Sequence, residues 1–143
     1  MTVEVKELTE AAEFKQAFPV MNELRTHLMS VDEYEVTLAE MRAGGYRLFA
    51  AVEEGAYVAL AGIAIRTNLY YGKFLYVYDL ITSENERSKG HGKVLLDHLE
   101  SLAMADGCQT IALSSGVQRV EAHRFYEEKM GFDRVSYVFK KEL

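Results

Sequence analysis

The sequence predicts a mixed α/β sheet flanked by helices, built as one domain over residues 1–143. Three observations lead there. Apolar residues recur at helical spacings over 9–28 and at strand spacings over 46–53 and 56–66. The stretch 74–113 reads as strand, glycine turn, helix and strand, which is a parallel unit with a right-handed crossover. Gly44-Gly45, Gly107 and Gly131 stand where helical patterns stop.

In chain order, Val3 to Leu8 alternates well enough for a short first strand. Phe14, Ala17, Phe18, Met21, Leu24 and Leu28 then mark an amphipathic helix, kinked or divided at Pro19. Ser30-Val31-Asp32-Glu33 reads as a capping box opening a second helix that ends at Gly44. Two strands follow, joined by a tight turn at Glu54-Gly55. Phe74 to Thr82 is apolar on both faces and hence interior, with Phe74, Tyr76, Tyr78 and Leu80 assigned to one face by alternation. Val94, Leu95, Leu99, Leu102 and Ala103 mark the crossover helix, and Ile111-Ala112-Leu113 the buried strand after it. A last helix spans Arg119 to Met130, and residues 132–142 supply one or two closing strands.

A formal net charge of −6 argues against broad binding to nucleic acid or to anionic membranes. No stretch reaches the roughly 20 apolar residues that span a bilayer, and the first residues lack a signal-peptide pattern, so a cytoplasmic location is expected. Cys108 is the only cysteine, which excludes an intramolecular disulfide, and it reads as a small buried residue. The histidines His27, His91, His98 and His123 show no metal-ligand spacing, and no metal is expected.

The turn Arg87-Ser88-Lys89-Gly90-His91-Gly92 lies between an interior strand and a helix start. A helix N-terminus carries unpaired N–H groups and a partial positive charge, so it attracts anions. Glycines let the backbone approach a phosphate closely, and Arg87, Lys89 and Lys93 add charge. A P-loop is excluded because position 87 is Arg and position 94 is Val; the dinucleotide fingerprint fails at Leu95. As a lone pattern the turn reads equally well as a surface turn whose glycines serve sterics.

Asp79 is a carboxylate inside an otherwise apolar strand, where burial without a partner is expensive. It reads either as a general base or as a structural carboxylate capping backbone groups. Tyr126 beside Phe125 is, on composition, a core aromatic. Tyr70, Tyr71, Tyr76 and Tyr78 read first as core, and otherwise as an aromatic wall able to hold an ammonium.

Two blocks make the chain resemble the GNAT superfamily of N-acetyltransferases. Arg87, Gly90 and Gly92 match its Arg/Gln-x-x-Gly-x-Gly/Ala signature. Ala122, Phe125, Tyr126, Gly131 and Phe132 match a second block, Ala-x-x-Phe-Tyr-x-x-x-x-Gly-Phe, in the expected order. The resemblance runs from about residue 46 to the C-terminus. It implies a mostly antiparallel sheet of about six to seven strands, a parallel pair formed by 74–82 and 111–113, and about four helices. It also implies acetyl-CoA as cosubstrate and direct transfer to an amine. Leu80, Ile81 and Thr82 would pair their backbone with pantetheine, one N–H serving as oxyanion donor. Arg87, Ser88, Lys89, Gly90, His91, Gly92 and Lys93 would hold the pyrophosphate. Tyr126 would protonate the departing thiolate and Asp79 would assist removal of the amine proton.

Many members carry asparagine where Arg119 stands; an arginine there suits a CoA phosphate, an acidic group on the substrate, or a surface ion pair. The run Val117 to Tyr126 looks like that of aminoalkylphosphonate N-acetyltransferases, which implies a small amine bearing an anionic group. Two further readings stay open: a non-catalytic acyl-CoA-binding module, and a protein or peptide N-acetyltransferase. Dimers are common in the family, and the composition leaves a homodimer open.

Overall fold

The computed structural model describes residues 2–25 and 30–143, in two compact units, 1–112 and 113–143. Strand β1 (Glu4–Leu8) leads to helices α1 (Ala11–Leu24) and α2 (Val31–Ala43). Strands β2 (Arg47–Glu53), β3 (Ala56–Asn68) and β4 (Gly72–Thr82) follow, then helix α3 (His91–Ala105) and strand β5 (Thr110–Leu113). The sheet order is β1-β2-β3-β4-β5, antiparallel as far as β4, with β5 parallel to β4. No described helix is long and apolar enough to cross a membrane.

Helix α1 starts where the Glu13 carboxylate accepts the Thr9 and Glu10 backbone N–H groups at 2.8 and 2.9 Å. It runs unbroken through Pro19 instead of dividing there. Helix α2 starts as expected, with Ser30 Oγ accepting the Glu33 N–H at 3.2 Å. Leu28 and His27 lie outside the described residues. Both helices cover one face of the sheet, where Phe14, Ala17, Met21, Tyr34 and Leu38 meet Leu48, Ala50, Leu60 and Ile81. Helix α3 buries Leu95, Leu96, Leu99 and Ala103, and its His98 ring lies 5.6 Å from Phe49, on the opposite face from Leu48. Each fully buried leucine contributes about 1.5–3 kcal/mol.

The β2–β3 hairpin turns through Glu54 and Gly55 with φ of +50° and +79°, the positive pair a two-residue hairpin turn requires. The β3–β4 pairing carries a bulge. Gly62 faces Asp79 and Ile63 faces Val77, so Tyr78 has no opposite residue. Directly paired residues share a face, and Ala64 faces Tyr76 while Gly62 faces Asp79. Tyr76 and Asp79 therefore share a face although three apart, and Leu80, opposite Ala61, belongs to the other face. Simple alternation, which grouped Leu80 with Phe74 and Tyr76, fails because the extra residue reverses the parity.

Among the described residues the sheet has five strands, not six to seven. Residues 132–142 form no strand, and Val135, Tyr137 and Phe139 are exposed. Their β-prone side chains are not enough, because propensity is realised only through pairing and packing. The first donor of the segment, the Phe132 N–H, is taken by the Tyr126 carbonyl at 3.0 Å. In this second unit α4 (Val120–Arg124) continues into a π-helical turn, Phe125–Lys129, which closes at Gly131.

The start of α1 sets an acid sensitivity. Hydrogen bonds from Lys6 and from the Thr9 and Glu10 N–H groups lower the Glu13 carboxyl from 4.5 to about 2. A carboxyl depressed on folding contributes stability that is complete above about pH 4.5 and is lost as pH falls towards 2. Acid unfolding of Glu13→Gln against wild type is expected to show the difference above about pH 4.5 and its disappearance below it. An equal difference at all pH values would remove this account.

Candidate active site

After β4 a single 3-10 turn, Glu84–Glu86, leads into the extended Arg87 and then Ser88, whose φ is +69°. A non-glycine residue in that region is strained, and such strain collects at functional sites. Gly90 follows at φ +85°, a left-handed position that glycine alone takes without cost, and it caps α3. The N–H groups of His91, Gly92 and Lys93 open that helix and have no carbonyl one turn earlier to receive them. The expected glycine turn into a helix start is therefore present as an anion-binding geometry.

The cations around it are less free than the sequence implied. The Lys89 ammonium lies 3.2 Å from Glu86, the Lys93 ammonium 2.6 Å from Asp97, and Arg87 Nε donates to the Thr82 carbonyl at 3.4 Å. Exposed pairs of this kind are weak, so a bound anion can compete for Lys89 and Lys93. His91 is buried rather than turned outward.

Leu80, Ile81 and Thr82 pair with Ala61, Leu60 and Ala59 on their β3 side. On the other side β5 has only four residues, and the N–H of Gln109, just before it, bonds the Lys73 carbonyl near the start of β4. The end of β4 thus extends past its parallel neighbour, leaving a sheet edge beside the glycine turn.

The bulge organises the middle of β4. The Tyr78 carbonyl, displaced from the β3 ladder, accepts Arg25 Nη2 at 2.9 Å. Asp79 Oδ1 accepts Arg25 Nε and Nη2 at 3.2 and 2.9 Å, and Oδ2 accepts the Tyr46 hydroxyl at 2.7 Å. Burial, reinforced by the Asp79 carboxylate, pushes the Tyr46 phenol well above its ordinary value and keeps it a donor. Tyr46 reaches Asp79 over Gly62, where a Cβ would lie 1.8 Å from its hydroxyl oxygen. Three hydrogen bonds thus occupy both oxygens of Asp79, the carboxylate that the sequence offered either as a general base or as a structural group.

In the second unit, Tyr126 is buried between the rings of Phe125 and Phe132, at 5.7 and 5.9 Å. Burial raises its phenol, while the nearby Arg119 guanidinium works in the opposite direction. Arg119 and Tyr126, seven residues apart, are thus brought together. His123, on the same stripe, is turned to the Gly116 carbonyl at 2.9 Å.

Arg25 and Tyr46 were not singled out from the sequence. Only Gly62, a glycine inside an apolar strand, signalled close approach of another group.

The acetyltransferase (GNAT) family model matches residues 10–132. An N-acetyltransferase of Bacillus subtilis (strain 168), YhdJ, is 42% identical over 142 residues, 99% of each chain. Among solved structures, a transcriptional regulator from Bacillus halodurans C-125 superimposes with TM-score 0.86 at 22% identity, over 99% of this chain and 100% of its own. The aminoglycoside N-acetyltransferase AAC(6')-Iy in complex with CoA gives TM-score 0.86 at 14% identity, over 99% and 95%. At such identities the structural likeness shows the fold.

Proposed function

The chain belongs to the acetyltransferase (GNAT) family and is an N-acetyltransferase, and from that premise we propose direct transfer from acetyl-CoA to a primary amine of a small molecule. The observation that carries the cofactor reading is Gly90 at φ +85°, handing an overhanging strand to the open N-terminus of a 15-residue helix. The N–H groups of residues 88–92 receive the pyrophosphate, with Arg87, Lys89 and Lys93 around it. Pantetheine lies along Leu80, Ile81 and Thr82 and takes up the edge β5 leaves uncovered. One N–H of that edge donates to the carbonyl oxygen as it gains charge. CoA bound to a solved relative of the same fold supports this placement.

The amine nitrogen attacks the thioester carbonyl and gives its proton to solvent water, the tetrahedral intermediate collapses, the C–S bond breaks, and solvent returns a proton to the acid afterwards. The sulfur takes a proton from Tyr126, whose burial keeps that proton in place until the thiolate forms. Arg119 stabilises the resulting phenolate, a different task from a CoA contact. Asp79 holds the bulge, Arg25 and Tyr46 in register and acts as a positioning residue, because its oxygens are already engaged.

The test is a titration with acetyl-CoA followed by thiol release across a panel of small amines, including amines that bear a carboxylate or phosphonate. Saturable, amine-dependent release is expected. Tight acetyl-CoA binding with no release for any amine would sink the reading and favour a binding module.

A further inference from the structure

We propose that Glu53, Glu86 and His91 form a binding site for a divalent transition-metal ion of the class represented by Zn2+. Glu53 ends β2, Glu86 ends the 3-10 turn, and His91 is the first residue of α3. One ligand atom from each lies within 4.8 Å of the others. One imidazole nitrogen with two carboxylate oxygens is a donor set that Zn2+ and its neighbours accept.

Three features distinguish this cluster from a chance meeting of acidic side chains. His91 is only 3% exposed, and its Nε2 points at Glu86 Oε1 from 3.4 Å. That contact is a long hydrogen bond, beyond the roughly 2.7–2.9 Å usual for a charge-assisted one. It matches two donors that each sit about 2.1 Å from one ion at a tetrahedral angle, whose separation is about 3.4 Å. The Glu53 carboxylate makes no hydrogen bond or ion pair among the described residues. Lys89, 3.2 Å from Glu86, supplies one positive charge against two carboxylates. One negative charge therefore remains uncompensated, which attracts a cation, and an ion bound there would fasten the β2–β3 hairpin to the glycine turn.

Protein stripped with chelator and free of cofactor is titrated calorimetrically with ZnCl2, with MgCl2 as the comparator, and its melting temperature is followed. One Zn2+ per chain is expected, with a rise in Tm that Mg2+ does not reproduce. Glu53→Gln is expected to weaken Zn2+ binding by at least about tenfold. Glu53 has no partner to lose, so the metal-free variant should melt with wild type. Cys108→Ser should leave binding unchanged and so exclude the thiol. Absence of Zn2+ binding up to the millimolar range, or binding that survives Glu53→Gln, overturns the site. Acetyl transfer assayed in chelator reports the proposed function separately, so the two readings fail independently.

Discussion

Tyr126→Phe is expected to lower kcat by about two to four orders of magnitude, with the affinity for acetyl-CoA near wild type. Burial holds this phenol in its protonated form next to a guanidinium able to stabilise the phenolate. Deleting the hydroxyl leaves the ring packed between Phe125 and Phe132, so the stability change should stay near about 1 kcal/mol. The loss should belong to the leaving-group step. A thioester of a more acidic thiol needs less help from an acid, and with such a donor the gap between variant and wild type should narrow. Single-turnover rates with both donors, and circular dichroism to confirm the fold, make the measurement. A variant with full kcat would remove the assigned acid.

Much of this arrangement was legible in the sequence because it depends on local rules. Gly90 sits where a left-handed backbone must hand a strand to a helix, Ser30 where a helix needs an N-cap, and Glu54-Gly55 where a hairpin needs two positive φ values. The last helix was expected over Arg119 to Met130, and the structure forms it as α4 and a π-helical turn. What escaped depends on residues far apart in the chain. Asp79 read either as a base or as a structural carboxylate, because its partners, Arg25 and Tyr46, are 54 and 33 positions away. The bulge at Tyr78 reversed the face assignment of Leu80, and a single extra residue of that kind has no compositional signature. The closing strands over 132–142 were expected from composition alone, and composition does not supply a pairing partner. Glu53 comes to His91 from β2, a proximity that spacing along the chain does not register.

Gly62→Ala should couple stability to activity without replacing a titratable group. Its Cβ would fall 1.8 Å from the Tyr46 hydroxyl oxygen and 2.4 Å from the ring carbon that bears it. Strand backbone on both sides cannot retreat, so Tyr46 must move and release Asp79. Overpacking of this kind costs about 1–3 kcal/mol. The lost hydrogen bond to a charged acceptor adds about 1.5–3 kcal/mol, so urea unfolding should show a drop of several kcal/mol. If Asp79 positions rather than abstracts, Gly62→Ala should also lower kcat, because the bulge and Arg25 lose their anchor. Removing the obstruction with Tyr46→Ala tests the cause. In that background Gly62→Ala should cost much less than alone, since the two side chains no longer collide. Additive losses in the double variant would mean that Gly62 matters for its backbone and not for the space it leaves to Tyr46.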